Sequence, residues 1–212
     1  MSRVLIATRN PGKVRELAAA LARAGVDAIG LDAVDDNLDV AETGATFEAN
    51  ARLKAETWSR ATGWTVVADD SGLEVDALDG APGVRSARFG GSGLGDHDRV
   101  RALLEALGDV SPGRRSARFR CVLAVAKDGV TIATFEGVVE GRIAQAPAGS
   151  SGFGYDPVFV PEGSTRTFAE MTRDEKLALS HRGRATTALL AAVRSGALSL
   201  DDPDDPEDAS GQ

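Results

Sequence analysis

Thr65-Val-Val-Ala-Asp69-Asp70-Ser71-Gly72-Leu73 is a short apolar run that delivers two adjacent carboxylates. It reads as a buried strand with the two acids at its end and a turn at Ser71-Gly72. The chain before it, from Thr46 to Thr62, has helical character, with Thr43 or Thr46 available as N-cap and Gly63 at the far end. A helix feeding directly into a buried strand predicts an α/β sheet, and ligands of such sheets gather beyond the carboxyl ends of the strands. Asp69 and Asp70 are therefore candidates to hold a metal. Neighbouring residues on a strand face opposite ways, so one acid serves the site and the other supports it. Asp70, nearer the expected turn, takes the first role and Asp69 the second.

The opening of the chain repeats this logic. Arg3-Val-Leu-Ile-Ala7 reads as a strand, followed by Thr8-Arg9-Asn10-Pro11-Gly12-Lys13 and a helix with Val14, Leu17, Ala18 and Leu21 on one stripe before Gly25. A turn that opens a helix offers backbone N–H groups and a positive dipole end, which suits phosphate. Proline at the start of the helix forfeits no bond there. The spacing is not that of a P-loop.

Composition narrows the class. The 212 residues include 24 Lys and Arg against 32 Asp and Glu, a formal net charge of −8, but six of the acids lie in residues 201–212 without a base among them. The body is then close to neutral, with 26 acids against 24 bases, and has no global attraction for nucleic acid. An anionic ligand would be held by a local cluster of cations, which favours a small molecule over a polymer. The hydrophobic fraction of 42% is ordinary for a globular protein. Cys121, the one cysteine, sits inside an apolar run and reads as a buried thiol in a reducing cytoplasm. No stretch approaches the roughly 20 apolar residues that cross a bilayer. The expected organisation is a single domain over residues 1–200, followed by an acidic, disordered tail at 201–212.

Further along, Asp79 to Gly95 reads as a long glycine-rich loop and Asp96 to Leu107 as a helix. Ser116–Ala126 and Val130–Ile143 read as a hairpin turned by Lys127-Asp128-Gly129. Thr172-Arg-Asp-Glu175 fits a capping box, and Ser180 can cap a last helix from Arg182 to Ser195.

Three more segments could carry chemistry. Glu42 precedes a helix on which Asn50 and Lys54 share one face, a pattern that by itself reads first as a solvated surface. Ser151-Gly-Phe153-Gly154-Tyr155-Asp156 concentrates aromatics beside glycines, suited either to stacking on a base or to anchoring a loop. Lys176, His181 and Arg182 place donors at and before a helix start. The histidine count of two and the absence of zinc-type spacing argue against a histidine metal site.

Taken together, Thr8–Lys13, Glu42–Lys54, Asp69–Leu78, Gly80–Arg88, Gly152–Phe159 and Ser180–Ala185 resemble, in order, the strings of the inosine triphosphate pyrophosphatase family, and the likeness runs from residue 3 to 195. The resemblance implies an elongated mixed β-sheet with flanking helices, two lobes enclosing a nucleotide cleft, and a cytoplasmic homodimer with no nucleic-acid or membrane partner. It implies Mg2+-dependent hydrolysis of deaminated purine nucleoside triphosphates (ITP, dITP, XTP) to the monophosphate and pyrophosphate. By position, Thr8, Arg9, Asn10, Pro11, Gly12 and Lys13 would bind the triphosphate, Glu42 and Asp70 the magnesium, and Asp70 would take the proton of the attacking water. Ser71, Phe153, Gly154, Tyr155, Asp156, Lys176, His181 and Arg182 would contact substrate, with Phe153 stacking on the base. Asn50, Lys54 and Asp69 would be supports. A pocket with donors facing position 6 of a purine accepts a keto oxygen and rejects the adenine amino group, by about 10⁴-fold or more. Two alternatives are a related pyrophosphatase selecting pyrimidine triphosphates and a nucleotide-binding module without turnover.

Overall fold

The computed structural model describes residues 3–34 and 38–200. The expected tail at 201–212 lies outside them. One six-stranded sheet runs through the chain: β1 (Arg3–Ile6), β2 (Asp27–Gly30), β3 (Val66–Val75), β4 (Ser116–Lys127), β5 (Val130–Ile143) and β6 (Phe159–Pro161), in the order β2-β1-β3-β4-β5-β6. It is mixed. β1 pairs in parallel with β2 and β3, whereas β5 and β6 are antiparallel. Among the described residues five α-helices accompany it: α1 (Pro11–Ala22), α2 (Phe47–Thr62), α3 (Asp96–Ala106), α4 (Arg173–Leu179) and α5 (His181–Arg194). The α/β expectation therefore holds.

Among the described residues, those up to Asp69, Leu123–Phe135 and 186–200 form one compact unit; Asp70–Val122 and Glu136–Ala185 form a second. In the first, both faces of β1 and of the start of β3 are buried (Val4, Leu5, Ile6, Val66, Val67, Ala68), as are Leu17 and Leu21 of α1 and Ala51, Ala55 and Trp58 of α2. Each large side chain among them contributes roughly 1.5–3 kcal/mol by leaving water. α2 starts at Thr46, whose hydroxyl accepts the Ala49 N–H at 3.1 Å, and stops at Gly63 in the left-handed conformation. It is tied to the β4–β5 hairpin: Arg60 donates to the Gly129 carbonyl at 2.9 Å and the Ser59 hydroxyl accepts the Gly129 N–H at 3.2 Å. The turn itself uses positive φ at Asp128 and Gly129, as an Asp-Gly hairpin requires.

The second unit is built on Leu73, Val75, Val100, Leu103, Leu107, Phe119, Ile143, Phe159 and Phe168. Phe119 and Phe168 flank Phe159 with ring centroids 4.7 and 5.2 Å away, a tilted arrangement favoured by ring quadrupoles. Thr172 and Glu175 form the expected capping box at α4.

Four expectations are corrected. Ser71-Gly72 is no turn, because β3 continues without a break to Val75; burying Leu73 and Val75 in the core outweighs the breaker tendency of the dipeptide. Asp69 and Asp70 consequently lie in the middle of a strand and not at its end. The segment from Asp79 to Gly95 is not wholly irregular, since Gly83–Arg88 is a 3₁₀ helix. Finally, α5 starts one residue earlier than expected, and the short strands β2 and β6 went unread.

Candidate active site

In the first unit the residues converge on Asp69. Its carboxylate, fully buried, forms an ion pair with the Lys13 ammonium. Lys54 donates to the Asp69 carbonyl at 2.7 Å and to Glu42 Oε1 at 2.6 Å. Two ammonium groups are thus brought onto one strand residue; Glu42 is the partner charge of the buried Lys54 and Asp69 that of the partly buried Lys13. Asn50, also buried, accepts the Gly44 N–H at 2.7 Å and so fixes the chain just past Glu42. A Cβ on Gly44 would stand 2.6 Å from that same oxygen, so the loop passes closer than any other residue permits. The solvated-face reading of Asn50 and Lys54 is corrected accordingly.

The phosphate-cradle segment is arranged differently from expectation in one respect. Asn10 is the N-cap of α1, and its Oδ1 accepts the N–H groups of Gly12 at 2.9 Å and Lys13 at 3.2 Å. The Asn10 N–H points to the Thr8 hydroxyl at 3.3 Å, and Arg9 donates to the Leu38 carbonyl at 3.0 Å. The amides expected to be open are therefore bonded to Asn10, leaving the dipole end and the Lys13 charge as the attraction for an anion.

In the second unit Asp156 is the hub. Buried at 2% exposure, it accepts the Phe153 N–H at 2.8 Å and the Lys176 ammonium at 2.7 Å through the same oxygen. The Lys176 nitrogen lies 4.5 Å from the Phe153 ring centroid, and the Arg182 guanidinium 5.7 Å from it. Arg182, 1% exposed, donates to the Ser71 hydroxyl at 2.9 Å. His181 stacks on Phe119 at 4.7 Å. Tyr155 is turned inward and donates to the Ser86 carbonyl at 2.8 Å; burial pushes its phenol well above the ordinary value. Tyr155 therefore anchors the loop, while Phe153 is the half-buried ring. Gly152 has positive φ, and a Cβ there would stand 2.0 Å from the Asp156 carboxylate. Asp70, with 5% exposure, is sheltered from bulk water.

Chemically, an aromatic ring with buried cations over it suits a planar heterocycle bearing carbonyl oxygens. Lysines and carboxylates together suit a polyphosphate with a hard divalent cation. Among the described residues no group of three or more His, Cys, Asp and Glu could hold a metal alone. Magnesium asks for few protein ligands, since it takes one or two carboxylates and completes its shell with substrate phosphates and water. The sequence reading missed Ser86, Asp96 and Arg99. The serine carries no local signal, whereas the acid at the first position of a helix was visible only as dipole compensation.

The sequence profile described as the Ham1 family matches residues 4–192. The chain is 50% identical over 196 residues to a dITP/XTP pyrophosphatase of Streptomyces avermitilis, covering 92% of this chain and 98% of that one. It is 45% identical over 203 residues to a dITP/XTP pyrophosphatase of Escherichia coli O157:H7, covering 92% and 100%. Among solved structures, a HAM1 protein from Coxiella burnetii superposes with a TM-score of 0.83 at 38% identity, covering 92% of this chain and all of the other. A nucleoside-triphosphatase / dITP/XTP pyrophosphatase from Mycobacterium abscessus gives 0.72 at 47% identity, covering 89% and 98%.

Proposed function

The chain belongs to the Ham1 family, and from that premise we infer that it hydrolyses deaminated purine nucleoside triphosphates (ITP, dITP and XTP) to the nucleoside monophosphate and pyrophosphate, removing them from the nucleotide pool. The observation that carries this reading is the Asp156 hub, which holds Lys176 against the Phe153 ring. A 6-keto purine stacked on such a ring finds donors for its oxygen. An adenine amino group would leave those donors unpaired, which is costly in a buried place.

Thr8–Lys13 hold the triphosphate through the helix dipole and the Lys13 charge, with Asp69 keeping that lysine extended. Glu42 and Asp70 are the residues that would hold Mg2+, and Lys54 orients Glu42. When bound, magnesium neutralises phosphate charge as a Lewis acid. Asp70 accepts the proton of the water that attacks the α-phosphorus; the bond to the oxygen bridging the α- and β-phosphorus breaks, and that oxygen leaves with pyrophosphate. Ser71, held by Arg182, contacts the substrate, and His181 and Arg182 complete the contacts to base and phosphate. The catalytic domain spans residues 1–200 and works as a cytoplasmic homodimer; the family resemblance supports these assignments. No helix among the described residues is long and apolar enough to cross a membrane.

The test is pyrophosphate release from inosine, xanthosine, adenosine, guanosine, thymidine and uridine triphosphates, each with and without magnesium. Magnesium-dependent turnover of the first two, at about 10⁴-fold higher kcat/KM than the adenosine compound, is expected. Preference for a pyrimidine, or turnover of none, would overturn the reading.

A further inference from the structure

Phe153 lies between two glycines that both have positive φ, Gly152 and Gly154. Such flanks leave the backbone free to swing unless its peptide groups are bonded elsewhere. The peptide N–H before the Phe153 side chain is its own, and Asp156 accepts it at 2.8 Å. The next one belongs to Gly154, and it donates to Asp96 Oδ2 at 2.7 Å, from 58 residues away in the sequence. Bonding both groups fixes φ and ψ of Phe153 and hence the direction of its ring. Asp96 is the first residue of α3, and its other oxygen takes the guanidinium of Arg99, which also donates to the Ala87 carbonyl at 3.1 Å and to that of Leu94. The acceptor is therefore mounted on a helix that is itself fastened to the glycine-rich segment. Burial pushes the Asp96 carboxyl up, but the Gly154 N–H and Arg99 outweigh it and hold the group below the usual carboxylate range. The bond to Gly154 is thus charge-assisted at neutral pH.

We propose that Asp96 is a positioning residue for base recognition: through the Gly154 N–H it sets the angle at which Phe153 is presented to the purine. It acts through the loop and touches no reacting atom. The proposal rests on the reading of the 153–156 segment as the base-binding loop.

Three variants test it, with wild-type protein alongside: Asp96→Ala removes the acceptor, Asp96→Asn keeps an oxygen without charge, and Asp96→Ser is too short to reach Gly154. Hydrolysis of inosine triphosphate and amide exchange of residues 150–157 in nucleotide-free protein are measured. Asp96→Ala and Asp96→Ser should raise KM about tenfold, the worth of one such bond, with kcat within about twofold. Exchange at 150–157 should accelerate in both, and Asp96→Asn should recover most of each effect. A folded Ala or Ser variant with unchanged KM and unchanged exchange overturns the proposal, and either variant suffices if the other does not fold. Failure of the wild type to hydrolyse inosine triphosphate would count against the proposed function instead, while the exchange comparison still decides whether Asp96 holds the loop.

Discussion

Asp69 and Asp70 are chemically identical neighbours on one strand, and their surroundings separate them. Asp69 serves two lysines: its carboxylate is ion-paired with Lys13, and its carbonyl receives Lys54. That ion pair and that carbonyl contact tie both polar ends of Asp69 to lysines. Under the proposed function it is Asp70 that takes the proton of the attacking water. Asp70→Asn preserves shape and hydrogen-bonding capacity but removes the proton acceptor and a metal-binding charge. Turnover of inosine triphosphate should fall by about 10²–10⁴-fold, while calorimetry should find the nucleotide bound within about tenfold of wild type. Near-normal turnover in this variant would remove Asp70 from the role of base. Asp156 illustrates the same commitment at a second place, with one oxygen serving both the loop amide and Lys176.

The elements show which signals are local. Thr46 and Gly63 bracket α2 as their residue types predict, and so do Thr172 and Glu175 at the start of α4. Those signals act within one turn of helix, so they are legible from neighbours in the chain. β2 and β6 were not legible. Asp27-Ala-Ile-Gly30 has one β-branched residue, and Phe159-Val-Pro161 ends in a proline that argues against a strand except at an edge, which is where β6 lies. The beginning of α5 depends on close approach. A Cβ on Gly183 would lie 1.7 Å from the Leu177 carbonyl oxygen, and one on Gly137 would lie 2.1 Å from that of His181. Both obstacles are backbone atoms, which cannot rotate away. Gly183→Ala should therefore displace the helix start that carries His181 and Arg182, and lower stability by about 1–3 kcal/mol. Thermal unfolding should show a midpoint lower by several degrees; an unchanged midpoint would mean that the helix start yields without cost.

At the scale of the whole molecule, folding lowers the pKa of Glu175, Asp76 and Asp96. Arg166 and the capping contacts of Thr172 bring Glu175 to about 2. The Ser116 hydroxyl lowers Asp76, with Arg118 adding to it against a smaller effect of burial, and the Gly154 amide and Arg99 lower Asp96 despite burial. A group with a depressed folded pKa stabilises the native state at any pH above its unfolded value, about 4 for these residues. That contribution is lost as pH falls through the folded value. These groups should thus add a pH-independent contribution to the unfolding midpoint near neutrality, and the midpoint should drop between about pH 4 and 2. A midpoint unchanged over that interval would show that the contacts are equally present in the unfolded chain.

The sequence by itself determined the α/β class, the hairpin, the helix caps, the burial of Cys121 and the ordered strings by which the family could be read. Each of these depends on neighbouring residues or on motif order. Only the tertiary structure decided that β3 runs through Ser71-Gly72, that Asn50 and Lys54 are buried, that Asp69 is the counter-ion of Lys13, that Tyr155 anchors while Phe153 presents its ring, and that Asp96 reaches Gly154. The reason is physical. A buried charge or amide must find a partner or pay its full desolvation cost, and packing brings that partner from segments tens of residues away, where no local pattern in the chain can point to it.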